Sequence, residues 1–536
     1  MKYVIQIGAL CLISCFTIFS NRGLLNPDVM EARNIVSARE MVKYNNWLIP
    51  TLNGEVRIAK PPLPTWVTSL AVFGCGSDDN LEVLRLPAGI AALLMVLFVY
   101  GISFRLTDDP RIPFLSAAVL ASTALLMFMG RNAAWDIFCH MFMAGAIWAL
   151  FWGWEKGKGG AGVFILSGLF MGLSFMSKGP VSFHSMLLPF LLSYLFAFGY
   201  KNIVSRWKEI LLAVFVCLIT SGLWPLYIYL HLPVESIATA YREAGAWFPS
   251  HTKPFWDYLQ FPALSGIWIF FILPVLVWPY AREKVDSFGT NYIFLFTWMV
   301  LTLLLLSAIP KKSTHYLLPV LVPMSLLIGF YVRYLMAAFE QRRQTPGDTI
   351  ILTTHVAVIS LISFCIPGLF YYYGLRPWHL SLMRFTLYFI LFAGMGVGLI
   401  QFHKDKKVFQ IALVSIAILS LSCLLVPPTV GHGMPQRSFM ALKEIRNRPE
   451  IEQLELYSLP KMDSKEIWAA GRRVREIGTG TMALRSLNFP VALFSKTHPD
   501  HLRQNREWDN LKIHLLDVLG DKTKNETWYL SIVDKE

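Results

Sequence analysis

The chain has 536 residues, of which 55% are hydrophobic and only 15% are charged, whereas about 25% of the residues of an average soluble protein are charged. An ordinary soluble fold could not bury so much apolar surface, so the composition indicates a membrane protein. The formal net charge is +13, but the basic residues stand in short clusters between apolar runs rather than on one polar domain, which argues against nucleic-acid binding.

About thirteen apolar stretches precede residue 434, and many of them reach the ~20 residues that a membrane-spanning helix needs. The first, residues 3–20, follows a basic Lys2 like a signal peptide, but residues 19–22 offer no small-x-small cleavage site, so we expect an uncleaved helix. Residues 63–75 are too short for a secure span. The remaining predicted spans are residues 83–104, 112–129, 137–154, 163–176, 183–198, 210–230, 263–280, 292–309, 316–334, 350–373, 380–402 and 408–426.

Basic loops alternate with loops that carry few basic residues. By the positive-inside rule the basic loops and the N-terminus are predicted to be cytoplasmic, and an odd number of spans then puts the C-terminal region outside the cytoplasm. The basic residues of these loops are Arg105 and Arg111, Lys156 and Lys158, Lys201 with Arg206 and Lys208, Arg282 and Lys284, Arg342 and Arg343, and Lys404 with Lys406 and Lys407.

The first outer loop is the longest. Residues 28–44 have the pattern of an amphipathic helix that would lie in the membrane interface. One side carries Ile35, Ala38, Met41 and Val42, and the other carries Arg33, Ser37, Glu40 and Lys43. Residues 46–64 contain several prolines and Gly54, which predicts a fixed irregular loop.

The composition changes at residue 434 and becomes charged and mixed. Residues 454–459, 491–495, 513–518 and 528–532 are predicted strands, and residues 464–477 are a predicted helix. No cysteine follows residue 438, which excludes a disulfide framework there. We therefore predict an all-α polytopic membrane domain at residues 1–433, whose first outer loop 21–82 carries interfacial helices, and a small extracytoplasmic α/β soluble domain at residues 434–536.

The outer loops bring three carboxylates and five cations to one side of the membrane, where unpaired charges are costly unless they are hydrated, paired or used. This combination suits group transfer from a phosphorylated donor, in which cations hold the departing phosphate and a carboxylate acts on the acceptor. The carboxylates are Asp28, Glu31 and Asp136, and the cations are Arg33, Lys60, Lys178, Arg242 and Lys312.

Each residue also has a simpler structural interpretation. A lysine or Arg242 can anchor to head groups, and Tyr316 can belong to an aromatic belt. Asp136 can cap its helix or pair with Arg131, and the polar residues of the first loop can form the hydrated face of its helix. Their common location on one side of the membrane favours a shared function.

Several sequence blocks resemble the polyprenyl-phosphate-dependent glycosyltransferases, which include protein O-mannosyltransferases and the transferases that add 4-amino-4-deoxy-L-arabinose to lipid A. The first outer loop contributes PDVMEARNIVSAREM, NWLIPTLNG and AKPP, and later blocks in family order are RNAAWD, MSKGP, SHTKPFWDY and PKKSTHYLLP. The resemblance implies a GT-C fold with about 13 transmembrane helices, an undecaprenyl-phosphate sugar donor and a cavity at the outer membrane face.

The family places its catalytic carboxylate in the first outer loop, in an Asp-Glu pair followed one residue later by Arg. Glu31 and Arg33 keep those places, but Met30 stands at the aspartate position and Asp28 lies two residues upstream. Either Asp28 or Glu31 can take the catalytic role, and Asp136 is a third candidate.

The resemblance also implies phosphate-binding and cavity residues. Lys60 and Lys178 match the family's Lys-Pro and Lys-Gly lysines, Arg242 matches a phosphate-binding arginine and Tyr316 a cavity tyrosine, while Lys312 and His251 are further cavity candidates. The lipid A transferases bind zinc through a glutamate at the position of Ala59 and a histidine corresponding to His251. We therefore expect no metal site of that form, because Ala59 supplies no ligand.

The sequence thus predicts a glycosyltransferase of the bacterial inner membrane that uses a polyprenyl-phosphate sugar donor and a lipid, glycan or protein acceptor. A transporter or flippase of lipid-linked substrates has a similar composition, but internal repeats and acidic residues inside the spans, typical of transporters, are not evident. A membrane scaffold would leave the outer charges without a role.

Overall fold

The structure is a computed structural model that describes residues 2–155, 159–245, 252–431, 442–477, 487–504, 508, 510–519 and 527–535. The chain divides into two compact units. The first comprises Met1–Leu24, Ile58–Pro64 and Arg85–Gly433, and the second comprises Leu25–Arg57, Thr65–Leu84 and Met434–Glu536. Most of the first outer loop therefore belongs to the same unit as the C-terminal region, not to the membrane unit.

The described residues contain nine helices that are long and apolar enough to cross a membrane. Four shorter apolar helices, Tyr3–Phe19, Ile112–Ala121, Phe183–Phe198 and Tyr292–Ala308, coincide with the other predicted spans. The prediction of an all-α polytopic membrane protein is confirmed. The nine long helices are Leu81–Leu106, Trp135–Trp154, Ala161–Lys178, Trp207–His231, Phe255–Val275, Thr314–Glu340, Pro346–Leu375, Leu382–Lys404 and Val408–Val430.

Short helices complete the described part of the membrane unit. They are Ala124–Met129, Lys201–Val204, Val234–Gly245 and Trp278–Asp286. Small residues let neighbouring helices approach closely, as is common where helices pack in lipid. A Cβ on Gly168 would lie 2.2 Å from the carbonyl oxygen of Ala213, and one on Gly329 would lie 2.7 Å from the backbone nitrogen of Ser116. The first of these contacts packs helix Ala161–Lys178, whose last residue contributes to the candidate site, against helix Trp207–His231.

Ion pairs join the loops that the sequence predicts to be cytoplasmic. Lys284 Nζ lies 2.7 Å from Asp348 Oδ1, and Arg333 Nε lies 2.7 Å from Asp109 Oδ2. A third pair joins Arg105 and Glu155. Lys156 and Lys158, also assigned to these loops, lie outside the described residues. Many of the polar groups at this end of the helices therefore serve to hold the loops together.

The second unit contains the predicted α/β sheet. A short hairpin of β1 (Thr51–Leu52) and β2 (Glu55–Val56) comes first in the chain. The strands of the sheet follow, and they are β3 (Glu455–Leu459), β4 (Val474–Glu476), β5 (Val491–Ser495), β6 (Leu511–Leu519) and β7 (Trp528–Lys535). The order across the sheet is β4-β3-β5-β7-β6. Strand β3 runs parallel to β4 and β5, while β7 runs antiparallel to β5 and β6. The four predicted strands are confirmed.

The predicted helix 464–477 is wrong in length. Helix Ser464–Ala470 ends at Gly471, whose φ of +77° is left-handed, and β4 follows. A left-handed glycine is a common helix stop. Asp463 caps the N-terminus by accepting from the backbone nitrogens of Lys465 and Glu466, and a second short helix in this region is Pro499–Arg503.

Helix Val29–Tyr44 packs against helix Ser464–Ala470 in the second unit. The predicted hydrated side of helix Val29–Tyr44 is wrong at Ser37 and Glu40, which are both 1% exposed. Glu40 Oε1 lies 3.0 Å from Arg473 Nε, and Glu40 Oε2 accepts a 2.5 Å hydrogen bond from Thr51. These partners are remote in the sequence, so a local helical pattern could not reveal them.

Candidate active site

A buried ion pair joins two helices of the membrane unit. Asp136 lies in the first turn of helix Trp135–Trp154, and Lys178 is the last residue of helix Ala161–Lys178. Lys178 Nζ contacts Asp136 Oδ1, and the two side chains are only 9% and 4% exposed. Gly179, with a φ of +74°, turns the chain immediately after Lys178. Two residues 42 positions apart are thus fixed at one end of neighbouring helices.

A third segment approaches this pair through His315. The Nε2 atom of His315 lies 4.0 Å from Asp136 Oδ2, whereas Lys178 contacts the other carboxylate oxygen. The Nδ1 atom of His315 lies 2.8 Å from Ser313 Oγ. His315 is not among the residues predicted from the sequence, although it lies inside the PKKSTHYLLP block. Its position directly before Tyr316 is the signal that could have indicated it.

Tyr316 and Lys60 place aromatic and cationic groups around the pair. Lys178 Nζ lies 4.7 Å from the centre of the Tyr316 ring. Lys60 Nζ lies 4.1 Å from the ring centre of Trp135, the residue that precedes Asp136. Both distances are within the range of a cation–π interaction. The structure therefore brings together four predicted site residues, Lys60, Asp136, Lys178 and Tyr316.

Lys312 lies beside this cluster, where its ammonium binds backbone carbonyl groups. Its side chain is buried, and Nζ donates hydrogen bonds to the carbonyl oxygens of Ile309, at 2.7 Å, and Lys253, at 3.4 Å. Tyr258 supports the same segment, because its hydroxyl accepts from the backbone nitrogen of Ser313 at 3.0 Å. Lys312 thereby holds two chain segments together, and its assignment to the substrate cavity stays a prediction.

The carboxylates of the first outer loop belong to the second unit. Asp28 is the N-cap of helix Val29–Tyr44, and its Oδ1 accepts from the backbone nitrogens of Met30, at 2.8 Å, and Glu31, at 2.9 Å. Glu31 is buried, and Arg33 Nη1 lies 3.7 Å from Met30 Sδ. One oxygen of Asp28 is thus turned towards the helix N-terminus, where an anion is favourable.

The remaining predicted residues concern phosphate and metal binding. Arg242 is exposed on helix Val234–Gly245, and His251 lies outside the described residues. Ala59 carries only a methyl group at the position of the family's zinc-binding glutamate. Among the described residues, no three His, Cys, Asp or Glu side chains are grouped so that they could hold a metal ion. Because His251 is not described, the absence of a zinc site of the family's form stays a prediction that rests on Ala59.

The charges of the membrane-unit cluster suit an anionic ligand. Lys178 balances Asp136, and Lys60 adds a further positive charge beside Trp135. Asp136 also lies where the dipole of its helix favours negative charge. His140, one turn later on the same helix, is buried, so it limits the space behind Asp136. A phosphate that approached Lys60 and Lys178 would compete with the Asp136 carboxylate for the ammonium of Lys178.

Known proteins resemble this chain over the segment that carries the cluster and beyond it. Residues 59–224 match the family described as dolichyl-phosphate-mannose-protein mannosyltransferase, and this segment contains Lys60, Asp136 and Lys178. The chain is 27% identical over 461 residues to the undecaprenyl phosphate-alpha-4-amino-4-deoxy-L-arabinose arabinosyl transferase of Enterobacter sp. (strain 638), covering 80% of this chain and 77% of that protein. It is 27% identical over 517 residues to arabinosyl transferase 2 of the same description from Pseudomonas fluorescens (strain Pf0-1), covering 90% and 86%.

A solved structure extends the likeness to the fold. The crystal structure of ArnT from Cupriavidus metallidurans bound to undecaprenyl phosphate superposes with a TM-score of 0.71 at 15% identity, covering 99% of this chain and 97% of that one. The shared fold includes both the membrane helices and the C-terminal sheet region. The resemblance found in the sequence is confirmed, and the chain has the GT-C fold of the polyprenyl-phosphate-dependent transferases that it resembles.

Proposed function

We propose that the chain transfers a sugar from an undecaprenyl-phosphate-linked donor to an acceptor on the outer face of the bacterial inner membrane. The observation that carries the proposal is the cluster of Lys60, Asp136, Lys178 and Tyr316 inside the membrane unit, three of which lie in the segment that matches the family model. The names of the relatives support undecaprenyl phosphate as the carrier. A lipid such as lipid A, a glycan or a protein can serve as acceptor, and membrane lipids surround the enzyme.

The donor phosphate is held by cations in this proposal. Lys60 and Lys178 bind its oxygens, and the family resemblance adds Arg33 and Arg242 as further phosphate-binding candidates. Lys60 is well suited because Pro61 and Pro62 restrict the loop that carries it, so the ammonium is aimed at low entropic cost. The positive charge stabilises the phosphate as it leaves the sugar.

The chemical step is a displacement at the anomeric carbon. An acceptor oxygen forms the new bond to that carbon, and the bond between the carbon and the phosphate oxygen breaks with its electron pair moving to the carrier phosphate. A carboxylate accepts or orients the acceptor proton. We assign this task to Asp28 and Glu31 rather than to Asp136, because Lys178 already engages the Asp136 carboxylate.

Amide variants test this assignment with little change in volume. Asp28→Asn or Glu31→Gln should reduce sugar transfer by a factor on the order of 10² or more and leave donor binding nearly unchanged, as expected when a general base is lost. If both variants turn over like the wild type while an Asp136→Asn variant that is still folded and binds the donor is inactive, the base is Asp136. Asp257→Asn, at an exposed ion pair, is a suitable control.

The activity itself is tested with purified protein and a radiolabelled lipid-linked sugar. Transfer of label to an acceptor lipid extract supports a glycosyltransferase. A transporter or flippase would instead move the labelled lipid across a proteoliposome membrane and leave the sugar on its carrier. Mass spectrometry of glycolipids and glycoproteins from cells with and without the gene would identify the sugar and the acceptor.

The proposed location is the inner membrane, with a cytoplasmic N-terminus and an extracytoplasmic C-terminal domain. The alternation of basic loops supports this orientation. A reporter that is active only outside the cytoplasm, fused after Glu536, should be active. Activity of a cytoplasm-only reporter at the same position would reverse the assignment.

A further inference from the structure

Helix Leu63–Cys75, which belongs to the second unit from Thr65 onward, turns polar residues inward. Thr65, Thr68 and Ser69 are at most 3% exposed. Thr65 Oγ1 donates to Asn34 Oδ1 at 2.7 Å, and Asn34 Nδ2 donates to Thr68 Oγ1 at 2.9 Å. Ser69 Oγ donates to the carbonyl oxygen of Thr65 at 2.8 Å. The hydroxyl groups on this face are satisfied by contacts within the unit.

Two apolar side chains of the same helix are nevertheless uncovered, whereas Val72 packs into the core of the unit. Leu70 is 62% exposed and Phe73 is 72% exposed. A helix in a soluble domain has the reverse arrangement, with apolar residues inside. A polar inner face and an apolar outer face are expected where the surroundings are lipid. With 13 residues the helix is too short to span a bilayer, so a position in the interface is expected.

A cavity of about 400 Å³ opens beside Phe73. Apolar groups of Val42, Val72 and Phe73 form one part of its wall, and Lys43 lies at the same opening. The other lining residues are Arg39, Gly76, Ser77 and Asp78. The cavity therefore combines an apolar side with a polar side, as an amphipathic ligand requires.

The polar side of this cavity has an excess of positive charge. Asp78 Oδ2 lies 3.0 Å from Arg39 Nη1, and Asp78 Oδ1 lies 3.0 Å from Arg446 Nη1, so two arginines meet one carboxylate. Asp79 Oδ1 lies 2.7 Å from Lys443 Nζ and 3.7 Å from Arg446 Nη1, so this ion-pair network continues beyond the residues that line the cavity. Lys43 is exposed, with its ammonium 5.7 Å from the centre of the Tyr44 ring.

We propose that this cavity binds the phosphate head group of an anionic phospholipid, whose acyl chains lie along Leu70 and Phe73. Lys43 supplies the exposed cation, and Ser77 supplies a hydroxyl group beside it. The inward polar face of the helix explains why the apolar face is free for the chains. The cavity shares no residue with the cluster around Asp136, and the inference does not depend on the proposed sugar transfer.

The test uses the full-length protein in detergent, with phosphatidylglycerol or phosphatidylcholine added in mixed micelles. Native mass spectrometry measures lipid retention, and thermal unfolding measures stabilisation. The wild type should retain phosphatidylglycerol about fivefold more strongly than phosphatidylcholine, a preference of the size expected for one lysine at an anionic surface. Lys43→Glu should abolish the preference, whereas Lys465→Glu, at a lysine of the same unit whose side chain is 40% exposed, should preserve it.

A second variant tests the apolar part of the proposed lipid site. Phe73→Ser should weaken retention of both lipids, while Leu515→Ser, at another exposed apolar residue of this unit, should not. If Lys43→Glu unfolds the protein, Lys43→Gln should give the same loss of preference. Retention of the full phosphatidylglycerol preference in a folded Lys43 variant would overturn the proposal, and so would equal losses in the Lys43 and Lys465 variants.

Discussion

Removal of the Asp136 carboxylate should destabilise the membrane unit more than the loss of one hydrogen bond would. In the Asp136→Asn variant, the ammonium of Lys178 remains buried, with its side chain only 9% exposed, and loses the carboxylate that contacts it. Breaking a buried pair by removing one partner typically costs about 3–5 kcal/mol, because the remaining charge stays desolvated. His315 cannot replace the lost partner, since its Nε2 faces the same carboxylate and a protonated ring would add positive charge.

The double variant Asp136→Asn/Lys178→Gln separates charge from shape. Removal of both charges leaves two polar side chains of similar size, so the double variant should be more stable than the Asp136→Asn single variant. A double-mutant cycle should give a coupling free energy of about 2–3 kcal/mol, near the upper end for residues in contact. Activity should not return with stability if Lys178 binds the donor phosphate.

Thermal unfolding in detergent, followed by intrinsic fluorescence, measures these effects. The exposed pair between Lys253 and Asp257, at 3.4 Å, provides the control, and Asp257→Asn should cost less than about 1 kcal/mol. The reasoning is refuted if Asp136→Asn unfolds at the wild-type temperature, or if the double variant is as unstable as the sum of its single variants.

Three further predictions concern individual contacts. Lys60→Ala should weaken donor binding by about tenfold or more in a titration with the lipid-linked donor. Lys60→Arg should retain most of the binding, because a guanidinium can also lie over Trp135. Normal binding by the alanine variant would make Lys60 a head-group anchor. His315→Asn should raise the donor KM by roughly tenfold, because His315 approaches the Asp136 carboxylate that positions Lys178. An unchanged donor KM in steady-state assays would show that the 4.0 Å approach has no role. Arg473→Ala should destabilise the second unit by about 2 kcal/mol, because it leaves the buried carboxylate of Glu40 without its arginine partner. Arg475→Ala, at an exposed pair, should have little effect on the melting temperature. Equal shifts of the melting temperature in the two variants would contradict the prediction.

The sequence alone determined the class of the protein and its helices. Apolar runs of about 20 residues have one stable form in lipid, the helix, because no water is present to satisfy an open backbone. Each predicted span accordingly falls on helical residues, although residues 112–129 and 263–280 are each divided between two helices. The strands β3, β5, β6 and β7 were also predictable, since their apolar runs are short and bounded by polar segments. Sequence blocks in family order were sufficient to indicate the GT-C type.

Only the tertiary structure decided which charged groups meet. Asp136 and Lys178 are far apart in the sequence, and each one alone has the pattern of a helix cap or a head-group contact. Glu40 belongs to the polar side of an amphipathic helix by its spacing, yet Arg473, more than 400 residues later, pairs with it in the interior of the second unit. Hydrophobic periodicity indicates whether a segment faces lipid, water or a protein core. The partners of buried charges depend instead on how distant segments pack, and the periodicity of one segment carries no information about that packing.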